Sequence, residues 1–337
     1  MESGLRGLFR VPVSFESRKS FIEAEIVQLY QGSRLDKGVE GLMLGTLGRM
    51  QALFRDKELD IRCSGSVFSG FATCASDLDI VLILPQTEAE SSELALNQLA
   101  SLLPDLCTET WYRSHQILDT ARVPIAIIQV ETQGTAFEMD LIPHPYGQYG
   151  YHNSCLLRLY ASIHPYVAIL GVVVKVWARK RGINDTRRGD GLSSYTFVVL
   201  LVAFLQRLQP QPLLPFLQQD CVGRNRLNGH DFSYREDIAA DIRKARTLDL
   251  SLAGLLEGFF RYYSAYDWGG HRVDICTLET AKERDFQMVI QDPFLRNRNL
   301  ADVLKQPGAV FKVKGEFGRA YKVLSSPNSS LSDLFED

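Results

Sequence analysis

No two cysteines of the 337-residue chain form a C-x-x-C pair: Cys63, Cys74, Cys107, Cys155, Cys221 and Cys276 are scattered without metal-ligand spacing. That argues against a zinc module or a disulfide scaffold and for reduced thiols inside a cell. Long apolar runs are also missing. The longest, Tyr195 to Leu205, falls short of the roughly 20 residues a bilayer span needs, so it reads as a buried helix and no membrane span is expected. Nor is there an excess of positive charge. With 37 Lys and Arg against 40 Asp and Glu, the formal net charge is −3, so any grip on nucleic acid must be local or weak. No internal repeat and no RRM, KH or zinc-finger signature occurs.

What is present is a globular composition, 45% hydrophobic and 23% charged, in a chain longer than one ordinary core, which favours two domains. Apolar residues at helical spacing over Ser20 to Tyr30 and Gly38 to Phe54 predict two early helices. Ile61 to Ser66, a small-residue stretch to Ser76, and an alternating run from Asp77 closed by Pro85 read as strand, loop, strand. Glu88 to Leu103 predicts an amphipathic helix ended by Pro104, and Pro124 to Val130 and Ala136 to Ile142 predict two further strands. From His152 onward the period turns helical, with segments at Tyr166 to Lys180, Ser194 to Leu208 and Leu252 to Tyr263. These readings put a catalytic domain at 38–150 and a second domain at 151–325 that takes in an N-terminal helix at about 15–37. Residues 326–337, rich in Ser, Asp and Glu, are expected to form an exposed tail. Arg6, Arg10, Arg18 and Lys19 among serines, with Glu2 and Glu16, read equally as an imperfect organelle-targeting signal or as plain helix entry; the arginines tilt the expected compartment toward the mitochondrion, with the cytoplasm as the alternative.

Chemistry concentrates at Gly65-Ser66, with Asp77-Leu78-Asp79 starting eleven positions after the serine at the head of an apolar strand. Residues two apart on a strand share a face, so the two carboxylates project side by side while Leu78 turns to the other layer. Two close anions call for a cation, and paired oxygen ligands suit Mg²⁺ or Mn²⁺. A third carboxylate on a neighbouring strand completes a two-ion site, and Asp140 is assigned that place. Glu138, on the same face of its strand, competes for it, and hydrophobic spacing alone does not choose. An isolated D-x-D is usually only the polar start of a strand. The upstream Gly-Ser and the downstream acidic strand together raise this one above that reading.

Lys175 and Arg179 stand four apart on an apolar helix and form one cationic stripe. Ser194 and Tyr195 fall where a helix should begin, and the free N–H groups there suit a phosphate. Ser66 and Ser76 are placed to donate further hydrogen bonds. Lys180-Arg181 and Arg187-Arg188 form a basic patch beside these groups that would guide a nucleic acid strand or remain a solvated loop.

In order along the chain, Gly65-Ser66, Asp77-x-Asp79, Asp140, Tyr151-His152-Asn153-Ser154, Lys175-Val176-Trp177-Ala178-Arg179, Gly191-Leu192-Ser193-Ser194-Tyr195 and Asp292-Pro293-Phe294 cover most of it. This set resembles the terminal uridylyltransferases and poly(A)-polymerase-like enzymes of the DNA polymerase β nucleotidyltransferase superfamily, most of all the compact kinetoplastid uridylyltransferases. The resemblance implies an α+β fold of two domains, a mixed-sheet catalytic domain and a mainly helical poly(A)-polymerase-associated domain, with the active-site cleft between them. It implies transfer of UMP from UTP to an RNA 3′ end with pyrophosphate release, using two Mg²⁺ or Mn²⁺ ions at Asp77, Asp79 and Asp140. It also implies that Lys175 and Arg179 hold the triphosphate, that Asn153 and Ser154 contact ribose and base, and that Tyr195 stacks on the base. With no dedicated RNA domain, a partner complex is expected to supply RNA specificity, as in RNA editing, and additions are expected to be short.

The base end departs from the family pattern. Uracil-selecting relatives carry an acid three positions after the Asp of the D-P-F segment, where this chain has Leu295. Asp292 is expected to meet the uracil imide and Arg298 a base carbonyl. An adenylyltransferase with the same metals is the near alternative, and a catalytically silent RNA-binding subunit is the alternative of another class.

Overall fold

The protein is described from a computed structural model, which defines residues 15–57, 59–84, 91–119, 123–219, 221, 223–282 and 287–336. Arg6 and Arg10 of the expected targeting signal, and Glu88 of the expected third helix, lie outside these residues. Helices α1 (Phe15–Ser33) and α2 (Lys37–Leu53) come first, and the Asp36 carboxylate caps α2 by accepting from Gly38 and Val39 N–H at 2.8 and 3.2 Å. Then follow β1 (Asp60–Cys63), a short α3 (Gly65–Ser69) where a plain loop was expected, β2 (Leu78–Ile83) and α4 (Ser92–Leu106). Strands β3 (Tyr112–Leu118), β4 (Ile125–Thr132) and β5 (Thr135–Ile142) complete the sheet.

Two sequence expectations fail here for identifiable reasons. Pro104 lies inside α4 instead of ending it, because Leu102, Leu103 and Leu106 are all buried and their packing holds the last turn despite the lost backbone donor. Strand β3 escaped the sequence reading because it is an edge strand, mostly exposed and polar, and shows no apolar alternation.

The sheet order is β1-β2-β5-β4-β3, with β2 and β5 parallel and the other neighbours antiparallel. One face carries Leu78, Ile80, Leu82, Ala126, Ile128, Met139 and Leu141, packed on Met43, Leu47 and Met50 of α2 and on Leu99, Leu102 and Leu103 of α4. The opposite face carries the acidic residues. Helix α5 (Tyr146–Ile163) starts against that face at Gly147, where a Cβ would lie 2.8 Å from the Ile142 carbonyl oxygen and 2.9 Å from Val81 Cβ. Only a glycine lets the helix come so close.

From there α5 runs on through residue 150 into a second core shared with α6 (Pro165–Lys180), α7 (Ser194–Leu205), α8 (Ala239–Ala245), α9 (Leu252–Ser264) and α10 (Ala309–Ser325). A two-stranded hairpin, β6 (Arg226–Leu227) and β7 (His230–Asp231), lies between α7 and α8 in the chain. Ile22 and Ile26 of α1 belong to this second core. Every residue of α7 from Thr196 to Leu205 is buried, and the helix starts cleanly because Ser193 accepts from Thr196 N–H. The result is an α+β architecture of a mixed five-stranded sheet beside a mainly helical body. Among the described residues no helix is long and apolar enough to cross a membrane.

The C-terminal segment does not behave as the expected exposed tail. Leu331 and Leu334 are buried in the helical core, Leu331 N–H donates to Glu25 at 2.8 Å, and Arg319 donates to the Leu334 carbonyl. Two leucines in a polar run suffice to anchor it.

Candidate active site

Asp79 lies on the open face of β2, and Asp140 is its direct partner across the parallel pair with β5. Leu78 and Met139, their neighbours in register, point into the helix-covered core and are fully buried. Asp77 stands one residue before β2 begins and is exposed. Burial and then the charge of Asp77 raise the Asp79 carboxyl to about 6, against the opposing pull of Lys175 and the Ser66 N–H. Asp140 is raised to about 7 by burial, followed by Asp79, Asp77 and Glu138. Asp77, exposed as a residue but with its carboxyl partly desolvated, is raised as well, by that desolvation and then by Glu138, while Arg179 and Arg187 oppose it. These three carboxylates therefore feel one another. Glu138, the competitor for the third place, is exposed, lies two residues out of register with Asp79 and accepts from Gln129 at 2.7 Å.

Three mutually repelling carboxylates, two of them lining a cleft and the third paired with one of these across the sheet, are a donor set that suits a hard divalent ion. Among the described residues no His, Cys, Asp or Glu trio is drawn into a finished ligand shell. The fit therefore rests on charge and on the cradle around Asp79. Gly65, at φ +63°, opens that cradle: a Cβ there would fall 1.8 Å from Asp79 Oδ2.

A cleft of about 1110 Å³ brings together Gly65, Ser66, Ser76, Asp77, Asp79, Ser154, Lys175, Arg179, Ser194 and Tyr195. Lys175 is almost fully buried, its ammonium donates to the Phe71 carbonyl at 2.7 Å, and burial lowers it to about 8 while Asp79 opposes the shift. Arg179, one turn on, is exposed at the mouth. Ser66 donates to Ser76 at 3.0 Å, and Ser76 also accepts the Thr73 N–H, so the two serines brace one lip. Ser194 opens α7 and accepts from Asn184 at 2.9 Å. Asn184 was missed by the sequence reading, since nothing in an isolated loop asparagine marks it.

Asp140, Asn153, Asp292 and Arg298 do not line this cleft. Asn153 is one hydrogen bond away, accepting from the Tyr195 hydroxyl at 2.9 Å. Asp292 is fully buried; Oδ1 accepts Phe294 and Leu295 N–H, each at 3.0 Å, Oδ2 has no hydrogen-bond partner, and Arg298 stands 3.7 Å from Oδ2. Both charges act on the Tyr195 phenol, after burial, which ties them to the same end of the cleft. The basic patch is corrected at Arg181. Its guanidinium grips Glu316 at 2.9 and 3.2 Å and the Glu336 carbonyl at 2.6 Å, which leaves Lys180, Arg187 and Arg188 at the cleft.

Residues 22–162 match the family described as "Poly(A) RNA polymerase, mitochondrial-like, central palm domain". Poly(A) RNA polymerase GLD2-B of Xenopus laevis is 30% identical over 273 residues, 77% of this chain and 51% of that protein. Terminal uridylyltransferase 4 of Homo sapiens is 28% identical over 291 residues, 81% of this chain and 17% of that protein. The chain thus spans about half or less of the length of these relatives. Cid1 in complex with the UTP analogue UMPNPP superposes with a TM-score of 0.80 at 21% identity, covering 96% of this chain and 99% of the other. Another Cid1 poly(U) polymerase structure holds Mg and 3′-dATP. Residues 22–162 thus resemble a poly(A) RNA polymerase palm domain, and the mixed sheet and helical body share the fold of the Cid1 poly(U) polymerase structures, so the chain is similar to the terminal nucleotidyltransferases of the DNA polymerase β superfamily.

Proposed function

We propose that the chain is a template-independent RNA 3′-terminal nucleotidyltransferase that moves UMP from UTP to an RNA 3′-hydroxyl and releases pyrophosphate. The observation that carries this reading is the pairing of Asp79 with Asp140 across β2 and β5, with Asp77 beside them and Lys175 and Arg179 on the facing helix. Asp77, Asp79 and Asp140 would hold two Mg²⁺ or Mn²⁺ ions, which supply Lewis acidity to the phosphoryl oxygens and the attacking hydroxyl. Lys175 and Arg179 neutralise the triphosphate, and the start of α7 offers N–H groups to its oxygens. Tyr195 gives the base a face to stack on. Its hydroxyl occupies the Asn153 carbonyl oxygen, so Asn153 presents its amide N–H to a ribose hydroxyl.

Uracil is favoured by Asp292 Oδ2, which is ion-paired with Arg298 but accepts no hydrogen bond and would suit the uracil N3–H, and by Arg298 as a donor to a base carbonyl. Adenylyl transfer is the second reading. Leu295 in place of an acid and the poly(A) polymerase among the relatives favour it. Initial rates with the four ribonucleoside triphosphates on one RNA primer separate the two: UTP fastest supports the proposal, and ATP fastest overturns its uridylyl part. RNA choice falls to a partner protein in this reading, because the basic groups at the cleft are few.

A further inference from the structure

Ser154 was expected among the groups that touch the nucleotide, and its surroundings argue for another role. A serine hydroxyl has one proton to donate and two lone pairs to accept with. Ser154 donates to the Gly150 carbonyl at 2.8 Å, one turn back on α5, and accepts the Gly65 N–H at 2.8 Å. Its remaining contact is Ser64 Oγ at 3.0 Å, and since the Ser154 proton is already spent, Ser64 is the donor there. All three capacities are used inside the protein, and the residue is 6% exposed. No capacity remains for a ribose or a base.

The consequence lies in what those bonds hold. Gly65 is the left-handed residue whose missing Cβ leaves room for Asp79 Oδ2, and the Ser64 N–H donates to the Asp79 carbonyl at 2.8 Å. The preceding residue, Asn153, accepts the hydroxyl of Tyr195, which lines the cleft. Adjacent positions of one helix therefore grip the carboxylate loop on one side and the base platform on the other. The helix itself begins against the sheet at Gly147 and ends in the helical core at Tyr160 and Ile163.

We infer that Ser154 is a positioning residue: it pins the Ser64-Gly65 turn to α5, so that the placement of Asp79 follows the nucleotide-facing side of the same helix. This rests on the proposed transferase reading. Losing the pin leaves the part-buried Gly65 N–H without its acceptor and frees the turn under Asp79, while the triphosphate and base contacts stay as they are. The effect therefore falls on turnover and not on nucleotide affinity.

The test compares Ser154→Ala with Ser154→Thr, which keeps the hydroxyl, in full-length protein, by transfer kinetics and by hydrogen–deuterium exchange of the peptide holding residues 64–66. For Ser154→Ala the expected result is kcat down at least tenfold, KM for the triphosphate within about threefold, and faster exchange at 64–66 with none at α7. Ser154→Thr should restore both. A raised KM with unchanged kcat would make Ser154 a ligand and overturn the inference. Unchanged exchange at 64–66 would overturn it regardless of activity. A wild-type protein that transfers no nucleotide would sink the transferase reading, while the exchange arm would still decide whether Ser154 pins the turn.

Discussion

Replacing Gly65 with alanine perturbs one methyl group and two separate energies. The residue sits at φ +63°, where a side chain costs on the order of 1–2 kcal/mol through its contact with the following carbonyl. The added Cβ would also lie 1.8 Å from Asp79 Oδ2 and 2.5 Å from Asp79 Cγ, far inside contact distance, so the carboxylate must swing away. Separation to ordinary contact, about 3.5 Å, needs a displacement of more than 1 Å. A misplacement of about 1 Å at a reacting centre is worth roughly 100-fold in rate. The expected outcome of Gly65→Ala is therefore a lowering of Tm by a few degrees, equivalent to about 1–3 kcal/mol, with kcat for nucleotide addition down by at least about 100-fold. Differential scanning fluorimetry and primer-extension kinetics on the same preparation give both numbers. Near-normal turnover in a folded Gly65→Ala protein would refute the reasoning, because Asp79 would then not need the place the glycine leaves it.

Arg179, exposed and facing the cleft from α6, should on replacement by Ala raise KM for the triphosphate about tenfold or more with Tm unchanged; a fall in Tm without a KM effect would give it a structural role. Glu316 tests the helical body instead. Burial alone would raise its carboxyl, but the bonds from Arg181 and Arg319 outweigh that and hold it below its ordinary value. A depressed folded value means stability that is present above the unfolded pKa of about 4.3 and lost as pH falls through the folded one. Glu316→Gln should cost about 1.5–3 kcal/mol at pH 7, and urea unfolding should find the gap to wild type shrinking toward pH 3. A gap that holds constant over that range would show that the charge on Glu316 does no stabilising.

The sequence alone settled whatever follows from local periodicity and from residue types that are costly to keep together. Asp77, Asp79 and Asp140 were legible as candidates because the two-residue spacing of the acids entering β2 and the alternation of β5 fix which side each residue faces, although β2 itself is buried on both faces from Ile80 to Leu82. Helices α6 and α7 were legible because an apolar surface at helical spacing has to be covered. Strand β3, the continuation of α4 past Pro104 and the anchoring of Leu331 and Leu334 were not, since each depends on what packs or pairs there from elsewhere in the chain.

Only the tertiary structure decided between residues of like type. Glu138 and Asp140 share a face, and the register of β5 against β2 put Asp140, not Glu138, beside Asp79. Arg179, expected at the triphosphate, and Arg181, expected in the basic patch beside it, stand two positions apart on α6 and its cap, and the fold sent Arg181 to Glu316 while leaving Arg179 at the cleft. Ser154 looked like a nucleotide contact until its three partners, from Gly150, Gly65 and Ser64, used up its hydroxyl. A sequence states what a side chain can bond; which of those bonds are already taken is set by atoms brought near from up to 90 positions away.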